Sequence, residues 1–222
     1  MKLRSVELPP RAPGLDRTLV LFHGFGADEH DLLPIGHELD PRLRVISLQA
    51  PIALDFGGRA WFNLQQTPQG FAFDPAEVAE GARLALEAVE EIARLHPRPL
   101  LGGFSQGAGM ALSVALPRPD LTSGVLVLSG VPPRAEQPVT PGALRGLPAF
   151  VAHGVHDPLI PVEVGRATRD LLQRAGASDL PRISDGPHGH PRRALRRPHL
   201  ALLRSGLRAF QGRAEGSGVR EK

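Results

Sequence analysis

The 222-residue chain contains no cysteine, which excludes disulfides and thiolate chemistry and permits a reducing cytoplasm without requiring one. Aromatic residues make up only 5% and include a single tryptophan, Trp61. Lysine is almost missing: Lys2 and Lys222 are the only two, and every other basic residue is arginine, a bias that suits GC-rich coding sequence. No stretch approaches the roughly 18 uninterrupted apolar residues of a membrane span. The opening Met1-Lys2-Leu3-Arg4-Ser5 lacks the apolar run of a signal peptide. The expected location is therefore cytoplasmic.

What is present is an ordinary apolar fraction, 41%, in a length that suits one large domain with a sizeable core. The isoelectric point is high, which invites a nucleic-acid reading, yet the charge is unevenly placed. Residues 1–177 hold 16 Lys and Arg against 19 Asp and Glu, whereas residues 178–222 hold 10 against 4. No helix-turn-helix, zinc or RNA-binding signature accompanies that basic end, so nucleic acid is not an expected partner.

Apolar patterning predicts alternating strands and helices, hence an α/β fold. Strands are expected over 3–8, 18–22, 43–48, 99–104, 124–128 and 147–153, and helices over 28–39, 75–95, 107–116 and 162–175. The 75–95 helix is the clearest. Asp74 can cap it, Pro75 fits its first turn, and the run stops at His96-Pro97. The proline-rich 132–148 stretch reads as a surface excursion.

Three strand ends carry chemistry. Gly103-Phe104-Ser105-Gln106-Gly107 is a G-x-S-x-G between a strand and a helix, the context in which a strained turn lifts a serine hydroxyl from the sheet. The Gln106 N–H would then lie free at a helix N-terminus. His23-Gly24-Phe25-Gly26 follows another strand, and Phe25 N–H can pair with Gln106 N–H as an oxyanion hole. His153-Gly154-Val155-His156-Asp157-Pro158 sets a carboxylate beyond a third strand, where Asp157 can orient an imidazole, in the chain order Ser, Asp, His. Trp61 and Phe62 are either core residues or the lining of an apolar pocket.

Together, His23-Gly24-Phe25-Gly26-Ala27-Asp28, Trp61-Phe62, the G-F-S-Q-G and the H-G-V-H-D-P with Pro161 resemble the phospholipase/carboxylesterase family of α/β-hydrolases, over roughly residues 16–177. This family includes acyl-protein thioesterases. The resemblance implies an α/β-hydrolase fold with a mostly parallel sheet, helices on both faces and no large lid. It also implies a cofactor-free, metal-free serine hydrolase of short- to medium-chain acyl esters or thioesters. Ser105 would be the nucleophile and Asp157 the triad acid, with Phe25 and Gln106 as oxyanion donors and His23, Gly24, Trp61 and Phe62 around the substrate. The expected partners are small acyl substrates, with a homodimer also compatible.

The family's base follows a last strand in a Gly-His. Here that region reads Leu-Pro-Arg-Ile-Ser-Asp-Gly-Pro-His-Gly-His over 180–190, with a poor strand, and Pro198 interrupts the helix that should follow. His188 and His190 are the two candidates for the base. A reading-frame shift shortly before or near Asp179 would account for the discontinuity: GC-rich codons chosen for this stretch and read one nucleotide later can restore a strand, a Gly-His and a helix bearing a Trp. The restored histidine then falls at the Pro187/His188 boundary, which puts His188 ahead of His190. One domain is expected over 1–212, with 178–212 atypical within it and 213–222 a disordered tail. The competing class is a catalytically impaired binding protein on the same fold.

Overall fold

The computed structural model describes residues 2–14, 16–68, 70–131 and 140–178. Its centre is a six-stranded sheet built from β1 (Ser5–Leu8), β2 (Thr18–Phe22), β3 (Arg44–Leu48), β8 (Leu100–Phe104), β9 (Gly124–Leu128) and β10 (Ala149–Ala152), in the order β1-β3-β2-β8-β9-β10. Only β1 runs antiparallel; every other pairing is parallel. Strands β2 and β9 are buried along their whole length, which is why they read as continuous apolar runs and not as alternating ones.

Alternate residues of these strands feed two apolar layers. Val20, Phe22, Leu101, Val125 and Val127 pack with α2 (Pro75–Leu95) and α3 (Gln106–Ala115), and Leu172 of α4 (Val162–Arg174) joins the same cluster. Leu19, Leu21, Val45, Leu100 and Leu126 face α1 (Leu33–Leu39) on the opposite side. Helix α2 starts as its sequence requires, with the Asp74 carboxylate accepting from Ala76 N–H at 2.8 Å and Pro75 in the first turn.

Helix α1 is shorter than the expected 28–39. Pro34 occupies its first turn; an earlier start would leave Pro34 in the interior, without an N–H to donate and clashing with the preceding turn. Asp28 instead turns its carboxylate onto His30 N–H at 2.8 Å. The stretch between β3 and α2 carries secondary structure of its own. It forms two short hairpins, β4 (Ile52–Ala53) with β5 (Arg59–Ala60) and β6 (Gln65–Thr67) with β7 (Gly70–Ala72). Of the proline-rich excursion, 132–139 lie outside the described residues. Leu144 is buried in the core, and its N–H donates to Ala175 O at 2.8 Å. Among the described residues, no helix is long and apolar enough to cross a membrane.

The register aligns Phe104, Leu128 and Ala152 across β8, β9 and β10. One step further, Ser105 N–H donates to Leu128 O at 2.9 Å and Ser129 N–H to Ala152 O at 2.8 Å. Ser105, Ser129 and His153 therefore stand abreast at the carboxyl rim of the sheet, where α/β folds place their ligands.

Candidate active site

Ser105 has φ 52° and ψ −116°, a left-handed backbone that costs a non-glycine residue about 1–3 kcal/mol. Its neighbours explain why the turn persists. A Cβ on Gly103 would lie 2.3 Å from Gly107 O, and one on Gly107 would lie 2.1 Å from Phe22 O and 2.4 Å from His23 O. The two glycines let the start of α3 fold back on β8 and press against the end of β2. The Gln106 N–H stands at the first position of α3, where it has no acceptor within the helix, whereas Ala108 N–H already donates to Ser105 O at 3.1 Å.

The Gln106 side chain, 5% exposed, does separate work. Its Oε1 accepts from Trp61 N–H at 2.8 Å and its Nε2 donates to Phe62 O at 2.7 Å. The residue after the serine thus ties the 61–62 segment to the elbow. Nothing in the linear pattern points to this pairing, because it joins residues 45 and 44 positions apart.

The strand end 23–26 lies directly alongside. A Cβ on Gly24 would stand 3.0 Å from the Phe104 ring. His23 is fully buried. Its Nδ1 faces Gly24 O at 2.8 Å and so carries the proton, while Nε2 accepts Ala50 N–H at 3.1 Å. Burial pushes the His23 pKa below its ordinary value, against the opposing pull of Gly24 O and the carboxylates of Asp28, Glu29 and Asp31. The imidazole is neutral and both ring nitrogens are occupied. In a trans peptide the C=O and the following N–H point in opposite directions. Holding Gly24 O against the imidazole therefore turns Phe25 N–H away from it.

Of the four residues expected around the substrate, three are buried. His23, Gly24 and Trp61 are buried. Trp61, 1% exposed, donates its indole N–H to His23 O at 3.0 Å and packs against Phe22 with ring centroids 5.4 Å apart. These three residues are held in the interior. Phe62 alone of the four keeps exposed surface, its ring 5.4 Å from Phe73.

At the third strand end, Asp157 Oδ1 accepts from Leu159 N–H at 2.9 Å and Ile160 N–H at 3.0 Å. His153, buried under α4 where a Cβ on Gly165 would meet its ring at 2.6 Å, donates Nε2–H to Ile160 O at 2.9 Å. Its Nε2 is 4.0 Å from Asp157 Oδ2, beyond hydrogen-bond reach. Oδ1 is thus committed to the loop's own backbone. The row from Ser105 to His153 spans two strand spacings, about 10 Å. Both ring nitrogens of His23 are engaged, His153 commits Nε2 to Ile160 O and leaves its buried Nδ1 without a partner among the described residues, and His188 and His190 lie outside the described residues. For metals, Asp28, Glu29 and His30 form a cluster of ligand-type side chains within 4.8 Å among the described residues. Asp28 already caps His30 N–H, and Glu29 accepts from Gln49 Nε2 at 2.7 Å.

The glycine-locked Ser105 elbow, the 23–26 strand end beside it and the Asp157 carboxylate two strands away lie in a stretch of chain with counterparts in known sequences. Residues 9–197 match the family described as Phospholipase/Carboxylesterase. The chain belongs to the phospholipase/carboxylesterase family. It is an α/β-hydrolase of the ester-cleaving kind. Among curated relatives, MhqD of Bacillus subtilis (strain 168) is 29% identical over 179 residues, 78% of this chain and 86% of that protein. Acyl-protein thioesterase 1 of Gibberella zeae is 27% identical over 191 residues, covering 75% of this chain and 80% of the relative. The crystal structure of a carboxylesterase from Mesorhizobium loti superposes with a TM-score of 0.75 at 23% identity, over 93% of each chain. The family match ends beyond His188 and His190, further along than the 16–177 over which the motifs are readable.

Proposed function

We propose that this phospholipase/carboxylesterase-family protein is a serine carboxylesterase or thioesterase acting on short- to medium-chain acyl substrates through an acyl-enzyme. The observation that carries the reading is the Ser105 elbow, φ 52° between two glycines with no room for a side chain. A strained serine at the rim of a parallel sheet has little structural purpose otherwise.

In this reading, His188 removes the Ser105 proton as Oγ attacks the acyl carbonyl; His190 is the second candidate for that role. Phe25 N–H and Gln106 N–H stabilise the tetrahedral oxyanion. Asp157 orients the imidazole through Oδ2, since Oδ1 is taken by Leu159 and Ile160. The protonated base hands its proton to the leaving alcohol or thiol, and water repeats the sequence on the acyl-enzyme. Half-buried Phe62 borders the acyl group. Residues 1–212 act as one catalytic domain and 213–222 as a tail, in the cytoplasm, with no cofactor required.

The test is labelling of the full chain by a fluorophosphonate, together with burst kinetics on p-nitrophenyl acetate and butyrate. Labelling lost in Ser105→Ala, and activity lost in either His188→Ala or His190→Ala, is the expected result. A folded chain that neither labels nor turns over is instead an impaired hydrolase that binds. That outcome would trace to the break in charge and pattern after residue 178.

A further inference from the structure

The 52–60 hairpin lies against the oxyanion loop and not on the sheet. Gly26 N–H donates to Arg59 O at 2.9 Å, and Arg59 N–H donates to Ala27 O at 2.8 Å. A Cβ on Gly58 would fall 2.2 Å from Gly26 O, so the two segments touch backbone to backbone. The Arg59 side chain is half-buried and turns the other way. Its Nε donates to Ala50 O at 2.5 Å and its Nη2 to Pro51 O at 2.9 Å. Ala50 is the residue whose N–H donates to His23 Nε2, and His23 holds Gly24 O.

These bonds close a ring around Phe25. The peptide before Phe25 is held through Gly24 O by His23, which is itself held by Ala50. The peptide after Phe25 is held through Gly26 N–H by Arg59. Arg59 touches both arms, the first with its guanidinium and the second with its main chain, while Ala27 N–H adds a bond to Gly24 O at 3.3 Å within the loop itself. A planar guanidinium can serve two carbonyls of one turn from a single fixed plane, which a flexible ammonium cannot reproduce.

We propose that Arg59 is a positioning residue for the oxyanion hole, bracing the Ala50–His23 arm and the Gly26 arm so that Phe25 N–H keeps its direction. The inference rests on the serine mechanism above with Phe25 as an oxyanion donor. It touches no substrate atom. Its contribution belongs to the transition state, because amide direction matters most once charge has developed on the carbonyl oxygen.

The experiment compares Arg59→Met, which keeps length and loses all donors, with Arg59→Lys in the full chain. Each is assayed for kcat and KM on p-nitrophenyl acetate and for binding of a phenylboronic acid as transition-state analogue. Arg59→Met should lower kcat about 10- to 100-fold, less than complete loss of a donor, with KM within about threefold. Boronate affinity should fall in parallel with kcat, and the pH midpoint of kcat/KM should stay in place. Arg59→Lys should recover part of the loss through one bond to Ala50 O. A folded Arg59→Met whose kcat stays within about twofold of the parent, or which raises KM alone, overturns the inference. If Arg59→Met does not fold, Arg59→Gln carries the same readings, since it leaves at least one of the two carbonyls without its donor. Ser105→Ala separates the two ideas: activity surviving there removes the serine mechanism itself. A dead Ser105→Ala beside an unaffected Arg59→Met removes only the role of Arg59.

Discussion

Ser105 and Asp157, the proposed nucleophile and acid, follow strands that stand two apart in the sheet, yet the chain holds them by different physics. At the elbow, geometry is enforced by exclusion: Gly103 and Gly107 face backbone atoms at 2.1–2.5 Å from where a Cβ would be. At the acid loop, a Cβ on Gly154 would meet only Asp157 N and Cβ, at 3.8 and 3.9 Å. That loop keeps its form through hydrogen bonds from Leu159, Ile160 and His153. Steric locks fail abruptly, because close-packed backbone has nowhere to move. Hydrogen-bonded loops fail by degrees, because each bond is worth about 1 kcal/mol net.

The largest expected contrast comes from making the same substitution in both places. Gly107→Ala should cost about 3 kcal/mol or more and abolish esterase activity, whereas Gly154→Ala should stay within about 0.5 kcal/mol of the parent. Thermal or urea unfolding of the two variants reads the difference; equal effects would dissolve the comparison.

Asp157→Asn comes next. The amide oxygen can still accept from Leu159 and Ile160, so stability should barely change. The base would lose its orienting carboxylate, and kcat should drop roughly 10³- to 10⁴-fold at neutral pH. A loss of stability as large as that of Gly107→Ala would show that the acid loop too is locked by packing.

Gln106→Met probes a position where both kinds of restraint meet. It leaves Trp61 N–H and Phe62 O without their buried partner, costing about 2 kcal/mol. The elbow backbone remains, so kcat should fall only about tenfold. Retained stability would mean that the 61–62 segment is held by Trp61 packing alone.

The smallest effect is electrostatic. The pKa of His23 is lowered in the folded protein by burial. As pH falls below about 6.5, the unfolded chain takes up a proton that the folded state resists. The stabilising contribution is therefore complete above that pH and is lost on acidification. Between pH 7 and 5.5 the parent should lose more in Tm than His23→Gln, by at most about 2–4 °C, the limit set by proton uptake of the unfolded imidazole alone. Identical slopes would show that the brace is indifferent to protonation.

The elements legible in the sequence were those whose cause is local. The apolar runs of β2, β8, β9 and β10, the cap at Asp74 and the strand–serine–helix spacing around Ser105 are all visible as pattern. Helix α1 starts five residues later than its apolar spacing predicts, because Pro34 takes its first turn. The roles of His23, Trp61 and Arg59 were not legible. A buried histidine accepting from Ala50 and a pocket histidine look the same in one dimension, as do a core tryptophan and a lining one. The Gln106 side chain and the Arg59 ring depend on contacts between residues 8 to 45 positions apart.

By itself, the sequence determined an α/β chain with an elbow serine, because glycine positions, strand length and helix start are read within a few residues of one another. Only the tertiary structure decided which neighbours are braces: whether a histidine faces solvent or Ala50 depends on how separate strands pack, and packing is not written in any one segment. Burial then settled the chemistry, fixing His23 as a neutral support beside the amide it turns outward.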